Sequence, residues 1–214
     1  ERIELIAGGA AGQDIVGEDL LLCVDPTTSR CDVVCRLEAA SEGDSLRLLL
    51  GTAFDVTSVT DSDGDSLSHS RSNELLIVNL GPESDAGPVE LLLHYGLSQS
   101  SRDAVFGSEG LAVLKGSSLW YPSSERPDAF PLDMEVRYPL GYSSVASGVL
   151  SGMAPSSDDD ACPNGDLWQV PSEVRGAMLA VGRFESTLKV SGGVFVGLHR
   201  LVDERIEPGD GRAG

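Results

Sequence analysis

The sequence predicts an all-β fold, a curved β-sandwich or β-saddle of mostly antiparallel strands. Three observations carry this. Short apolar runs recur about every 8–12 residues, separated by Gly, Pro and Asp. One run alternates cleanly: Phe130, Leu132, Met134, Val136 and Tyr138 against Pro131, Asp133, Glu135 and Arg137. A period of two puts the apolar set on one face and the charges on the other. No stretch carries a sustained helical period.

The elements follow in order. Residues 20–24 (LLLCV) and 31–37 (CDVVCRL) flank Asp25-Pro26-Thr27-Thr28-Ser29-Arg30, a hairpin on Asp-Pro turn chemistry. Strands at 46–50 and 54–59 precede a tight Asp63-Gly64 turn. Residues 75–78 (LLIV) are apolar at every position, as in a strand covered on both faces. A strand at 89–95 follows the breakers Gly81-Pro82 and Gly87-Pro88. After 130–138, broken by Pro139-Leu140-Gly141, strands are expected at 143–150, 167–170, 177–183, 186–190 and 194–198. Pro171 to Val174 reads as a helical turn. The organisation is a polar segment 1–18, a β-domain 19–203 and a tail or linker 204–214.

At 214 residues, the chain can bury a core without disulfides. Cys23, Cys31, Cys35 and Cys162 lack C-x-x-C spacing, so free buried thiols are expected, with a disulfide from Cys23 as the alternative. Cys31 and Cys35 share a strand face but lie too far apart to bridge. Cys23 can approach either. A net charge of −19 opposes binding to nucleic acid or to anionic membranes. No apolar run reaches the ~20 residues that span a bilayer, so no direct membrane insertion is expected. A start at Glu1 rather than Met suggests a processed or trimmed product.

Candidate chemistry is sparse. Asp61-Ser62-Asp63-Gly64-Asp65 opens like a calcium loop, but Ser66 and Ser72 stand where an EF-hand needs Gly and Glu. A hairpin tip is the better reading. Asp158, Asp159 and Asp160, with Asn164 and Asp166, gather oxygen ligands in one loop; Asp158, Asp160 and Asp166 are the calcium candidates, but a solvated acidic loop is the better reading. His69, His94 and His199 are isolated, and neither H-E-x-x-H nor G-x-S-x-G occurs. Gly209 to Gly214 matches G-x-G-x-x-G with no helix to follow, so it carries no pyrophosphate site. Trp120 and Trp168, beside turns, read as packing residues rather than stacking platforms.

Residues 20–37, with their Asp-Pro-Thr-Thr turn, resemble the opening hairpin of zinc aminopeptidases of the aminopeptidase N type. Residues 46–50, 55–60 and 89–96 resemble that family's next amino-terminal strands. The most specific echo is Leu-Trp-Tyr-Pro (119–122), Phe-Pro-Leu-Asp-Met-Glu-Val-Arg-Tyr-Pro (130–139) and Val-Ala-Ser-Gly (145–148). Trp168 and residues 180–184 (AVGRF) look like the strands that close the domain. The resemblance implies a β-saddle whose Trp-Tyr-Pro step packs a corner. It also implies a partner, the catalytic domain of the same parent protein, and zinc only in that domain, since no G-x-M-E-N or H-E-x-x-H is present. Glu125 is the nearest counterpart of the residue that holds the substrate's amine in many members. The implied role is a non-catalytic domain shaping the substrate cleft, in an extracytoplasmic or membrane-associated setting. The rival reading is a free-standing binding or adhesion β-domain using calcium at 156–166. A third is an autonomous hydrolase with an unrecognised triad.

Overall fold

A computed structural model describes residues 14–41, 43–81, 87–97, 104–107, 110–125, 130–170, 176–191 and 194–202. The expected turn at 171–174, the tail 204–214, residues 1–13 of the polar segment and residues 126–129 lie outside the described residues. The strands are β1 (Asp14–Asp25), β2 (Arg30–Ser41), β3 (Ser45–Leu49), β4 (Phe54–Asp61), β5 (His69–Ser72), β6 (Leu75–Asn79), β7 (Gly87–Leu97) and β8 (Ala104–Gly107). They continue as β9 (Leu111–Leu114), β10 (Leu132–Tyr138), β11 (Ser143–Ala146), β12 (Val149–Met153), β13 (Asn164–Val170), β14 (Leu179–Gly182), β15 (Phe184–Ser191) and β16 (Val194–Leu201). The fold is all-β, as the sequence predicts.

Seven strands form one sheet in the order β12-β13-β10-β1-β2-β7-β4. A four-stranded sheet (β11-β14-β9-β8), a three-stranded sheet (β3-β6-β5) and the β15-β16 hairpin complete the described structure. Pairing is antiparallel except between β1 and β10. Register shifts at Ile15/Gly17, Val56/Ser58 and Leu150/Gly152 bend the large sheet, since a bulge adds twist locally.

Alternation decides which face is buried. On β2, Cys31, Val33, Cys35, Leu37 and Ala39 point inward; on β10, Leu132, Met134, Val136 and Tyr138 do, while Asp133 faces solvent. These residues join Leu46 and Leu48 of β3, Leu76 and Val78 of β6, and Leu179 and Val181 of β14 in one core. Pro88 is accommodated at one end of β7, where the β4 ladder has already ended at Asp61–Leu91.

Several expectations are corrected. The first strand starts at Asp14 rather than Leu20. Residues 143–150 are not one strand: Gly148 turns at φ 109°, and a Cβ there would lie 2.3 Å from the Gln169 carbonyl oxygen. On β6 only Leu76 and Val78 are buried, so just one face is fully covered. The strands β5, β8 and β9 were too short or too polar to read.

The cysteines do not all stay free. Cys23 is joined to Cys162, while Cys31 and Cys35 remain buried thiols. Cys23 pairs across the ladder with Asp32 and Cys31 with Val24, so Cys23 faces away from both core thiols. Insertion of β10 between β1 and β13 brings the loop before β13 across Arg137 toward Cys23.

Candidate functional site

The Trp-Tyr-Pro step is a packing corner. Trp120 is fully buried, and its Nε1 donates to the Ala177 carbonyl at 2.9 Å. The Tyr121 hydroxyl accepts from the Ala177 amide at 3.0 Å. Tyr95 Oη donates to the Trp120 carbonyl at 3.2 Å. Adjacent aromatic side chains thus satisfy both backbone groups of one residue 56 or 57 positions away. Tyr121 also packs edge-on to Trp120 and to Phe130.

Glu125 ends the segment that this corner launches. Leu49 and Ser123 exchange backbone hydrogen bonds of 2.7 and 3.0 Å, so residues 119–125 run antiparallel beside β3. Two residues further in each direction stand Arg47 and Glu125. Arg47 Nε lies 2.7 Å from one Glu125 oxygen and Nη2 3.1 Å from the other, an exposed bidentate pair. The Arg47 hydrogen bonds hold the Glu125 carboxyl below its ordinary range, against a small burial effect.

The acidic loop does not converge. Asp158, Asp159 and Asp160 are exposed, and Asp159 Oδ1 accepts the Ala161 amide within its own turn. Asp166 is buried on β13. Its Oδ2 accepts from the Ser144 hydroxyl at 2.6 Å, and Ser144 Oγ in turn accepts from Trp168 Nε1 at 2.8 Å. Burial and the neighbouring Asp166 push the Tyr138 phenol up. Trp168 therefore anchors a buried polar chain between the large sheet and β11. The other calcium-like stretch is a hairpin tip: Asp61 Oδ1 accepts the amides of Asp63 and Asp65, and Thr60 bridges to Ser66.

His69 lies on β5, His94 on β7 and His199 on β16, three separate strands. Among the described residues, no three His, Cys, Asp or Glu side chains come together to hold a metal ion. Burial pushes the Cys31 thiol up to about 12 and the Cys35 thiol well above its ordinary value, so neither is a ready nucleophile.

Sequence reasoning missed one buried charge, Glu18, and one half-buried charge, Arg71. Glu18 is 4% exposed, and among the described residues neither carboxylate oxygen has a hydrogen-bond partner. Its signal was parity, because 18 is in step with the buried Leu20, Leu22 and Val24. Arg71 donates to the carbonyls of Leu50, Gly51, Phe54 and Asn73, and so ties down the β3–β4 connection.

The architecture has the fold of M1 zinc metallopeptidase chains, over part of their length. An M1 zinc metallopeptidase from Deinococcus radiodurans bound to a Tyr-Ser-Ala substrate superposes with a TM-score of 0.62 at 18% identity. That match covers 88% of this chain and 47% of the other. A second structure of an M1 zinc metallopeptidase from Deinococcus radiodurans gives 0.61 at 19% identity, over 88% and 46%. A two-domain M1 zinc metallopeptidase bound to L-tryptophan gives 0.63 at 18% identity, over 88% and 48%. This chain thus spans about half the length of the solved chains it matches. No known family and no curated protein matches the sequence.

Proposed function

We propose that this chain is a non-catalytic β-domain of an aminopeptidase-like zinc metallopeptidase, packing against a catalytic domain and shaping one wall of its substrate cleft. The observation that carries the reading is the shared fold over 88% of this chain and under half of the M1 chains. The use of Trp120 and Tyr121 for packing fits it too. Zinc then belongs to the catalytic domain. Glu125 is the residue proposed to face the substrate amine, on the family resemblance; its carboxylate is exposed, and a substrate ammonium group would compete there with the Arg47 pair. The Cys23–Cys162 disulfide suits an oxidising, extracytoplasmic compartment.

The parent reading frame tests this. An H-E-x-x-H element within a few hundred codons beyond Gly214 supports the proposal, and an immediate stop codon contradicts it. In such a parent, Glu125→Gln should raise KM for aminoacyl substrates; an unchanged KM removes Glu125 from the cleft.

A further inference from the structure

We propose that the outer face of the seven-stranded sheet is a docking trough for a basic, amphipathic helical segment of a partner polypeptide. Register lays its side chains out in rows. Leu167, Glu135, Leu21 and Val34 are successive partners across β13, β10, β1 and β2. In the next row, Asp133, Asp19, Arg36 and Leu92 succeed one another across β10, β1, β2 and β7. Leu21 is 41% exposed, and with Val34, Leu92 and Leu167 it floors an open trough of about 470 Å³.

The charges beside that floor select the occupant. Asp19 and Asp133 sit side by side on parallel strands, and among the described residues neither is in an ion pair. The nearest cation by register, Arg36, is held by Glu90 at 2.6 Å, and Arg137 is held by Glu135. Like charges on neighbouring strands repel, and a Lys or Arg laid over both relieves the repulsion. A second copy of this chain, at −19, brings the wrong charge. Strands stand ~4.8 Å apart and a helix repeats every ~5.4 Å, so a leucine stripe crossing the strands can follow Leu167, Leu21 and Val34, past the Arg137-paired Glu135, with its basic flank over the aspartates.

The probe is a fluorescent peptide of about 14 residues, with Leu at helical spacing and Lys elsewhere, titrated by anisotropy. Two charge variants lose the same number of carboxylates: Asp19→Asn/Asp133→Asn in the trough, and Asp63→Asn/Asp65→Asn at the exposed hairpin tip. The trough variant should weaken binding about tenfold and the hairpin variant less than about twofold. Leu21→Ser should weaken it too, with the circular dichroism spectrum retained. Equal losses in both charge variants, no loss in Leu21→Ser, or no binding at all would overturn the proposal. So would self-association of the wild type that Leu21→Ser abolishes, since the occupant would then be a second copy.

Discussion

The indole of Trp120 donates to the carbonyl of Ala177 from a fully buried position, which fastens the segment leading to Glu125 onto the residues just before β14. Trp120→Ala should cost about 3–5 kcal/mol in cavity and transfer terms. Trp120→Phe keeps most of the ring but strands the carbonyl, a loss of about 1–3 kcal/mol. Urea denaturation at neutral pH checks both values. A phenylalanine variant as stable as wild type would show that the hydrogen bond is dispensable.

The Cys23–Cys162 bridge closes a loop with a sequence separation of 139 residues. Chain-entropy reasoning gives a stabilisation of roughly 2–5 kcal/mol for such a cross-link. Reduction, or Cys23→Ser/Cys162→Ser, should therefore lower Tm by on the order of 10 °C. Cys31 and Cys35 should resist thiol reagents until the fold opens. A Tm insensitive to reductant would contradict the assignment.

Glu18 predicts a distinctive pH response. Burial raises its folded-state pKa well above the ordinary value of ~4.3, so the native state keeps a proton that the unfolded chain releases. Its contribution is therefore intact below ~4.3 and is lost as pH rises toward the folded pKa. Burial also opposes ionisation at Asp25, but the Thr27 and Thr28 hydrogen bonds outweigh it and lower that pKa, giving a contribution lost as pH falls. Glu18→Gln should match wild type near pH 4 and exceed it at pH 8 in urea midpoint. Parallel curves from pH 4 to 8 would sink this account of Glu18.

Calcium should leave Tm nearly unchanged at millimolar concentration, because Asp158 and Asp160 face solvent while Asp166 is committed to Ser144. Bound calcium at a hundredfold excess over Kd would add ~2.7 kcal/mol. A rise of several degrees, lost in Asp158→Ala/Asp160→Ala, would revive the binding-module reading.

Where local pattern suffices, the sequence was legible. The alternation of β10 and the Asp25 turn were readable because strand parity and Asx chemistry act over a few residues. Cys162 was not, because its partner depends on β10 lying between β1 and β13. Neither was the fate of Asp166, which looked like one more loop carboxylate until the sheet register turned it toward Ser144. Glu18 was obscured by its glycine-rich, polar neighbourhood, although its parity with Leu20 and Leu22 marked an inward position. Glu125 could be singled out only through family resemblance; its pairing with Arg47 follows from the Leu49–Ser123 register.

The most direct test of a non-catalytic domain is metal content and turnover measured on the same purified chain. Peptide hydrolysis of the zinc type needs several ligands on one ion and a carboxylate to move a proton. His69, His94 and His199 lie on separate strands, and the described residues assemble no such group. After incubation with zinc and dialysis, elemental analysis should find no stoichiometric metal, and aminoacyl-anilides should not be cleaved. One tightly held zinc per chain, with turnover abolished by His94→Ala or His199→Ala, would contradict the account.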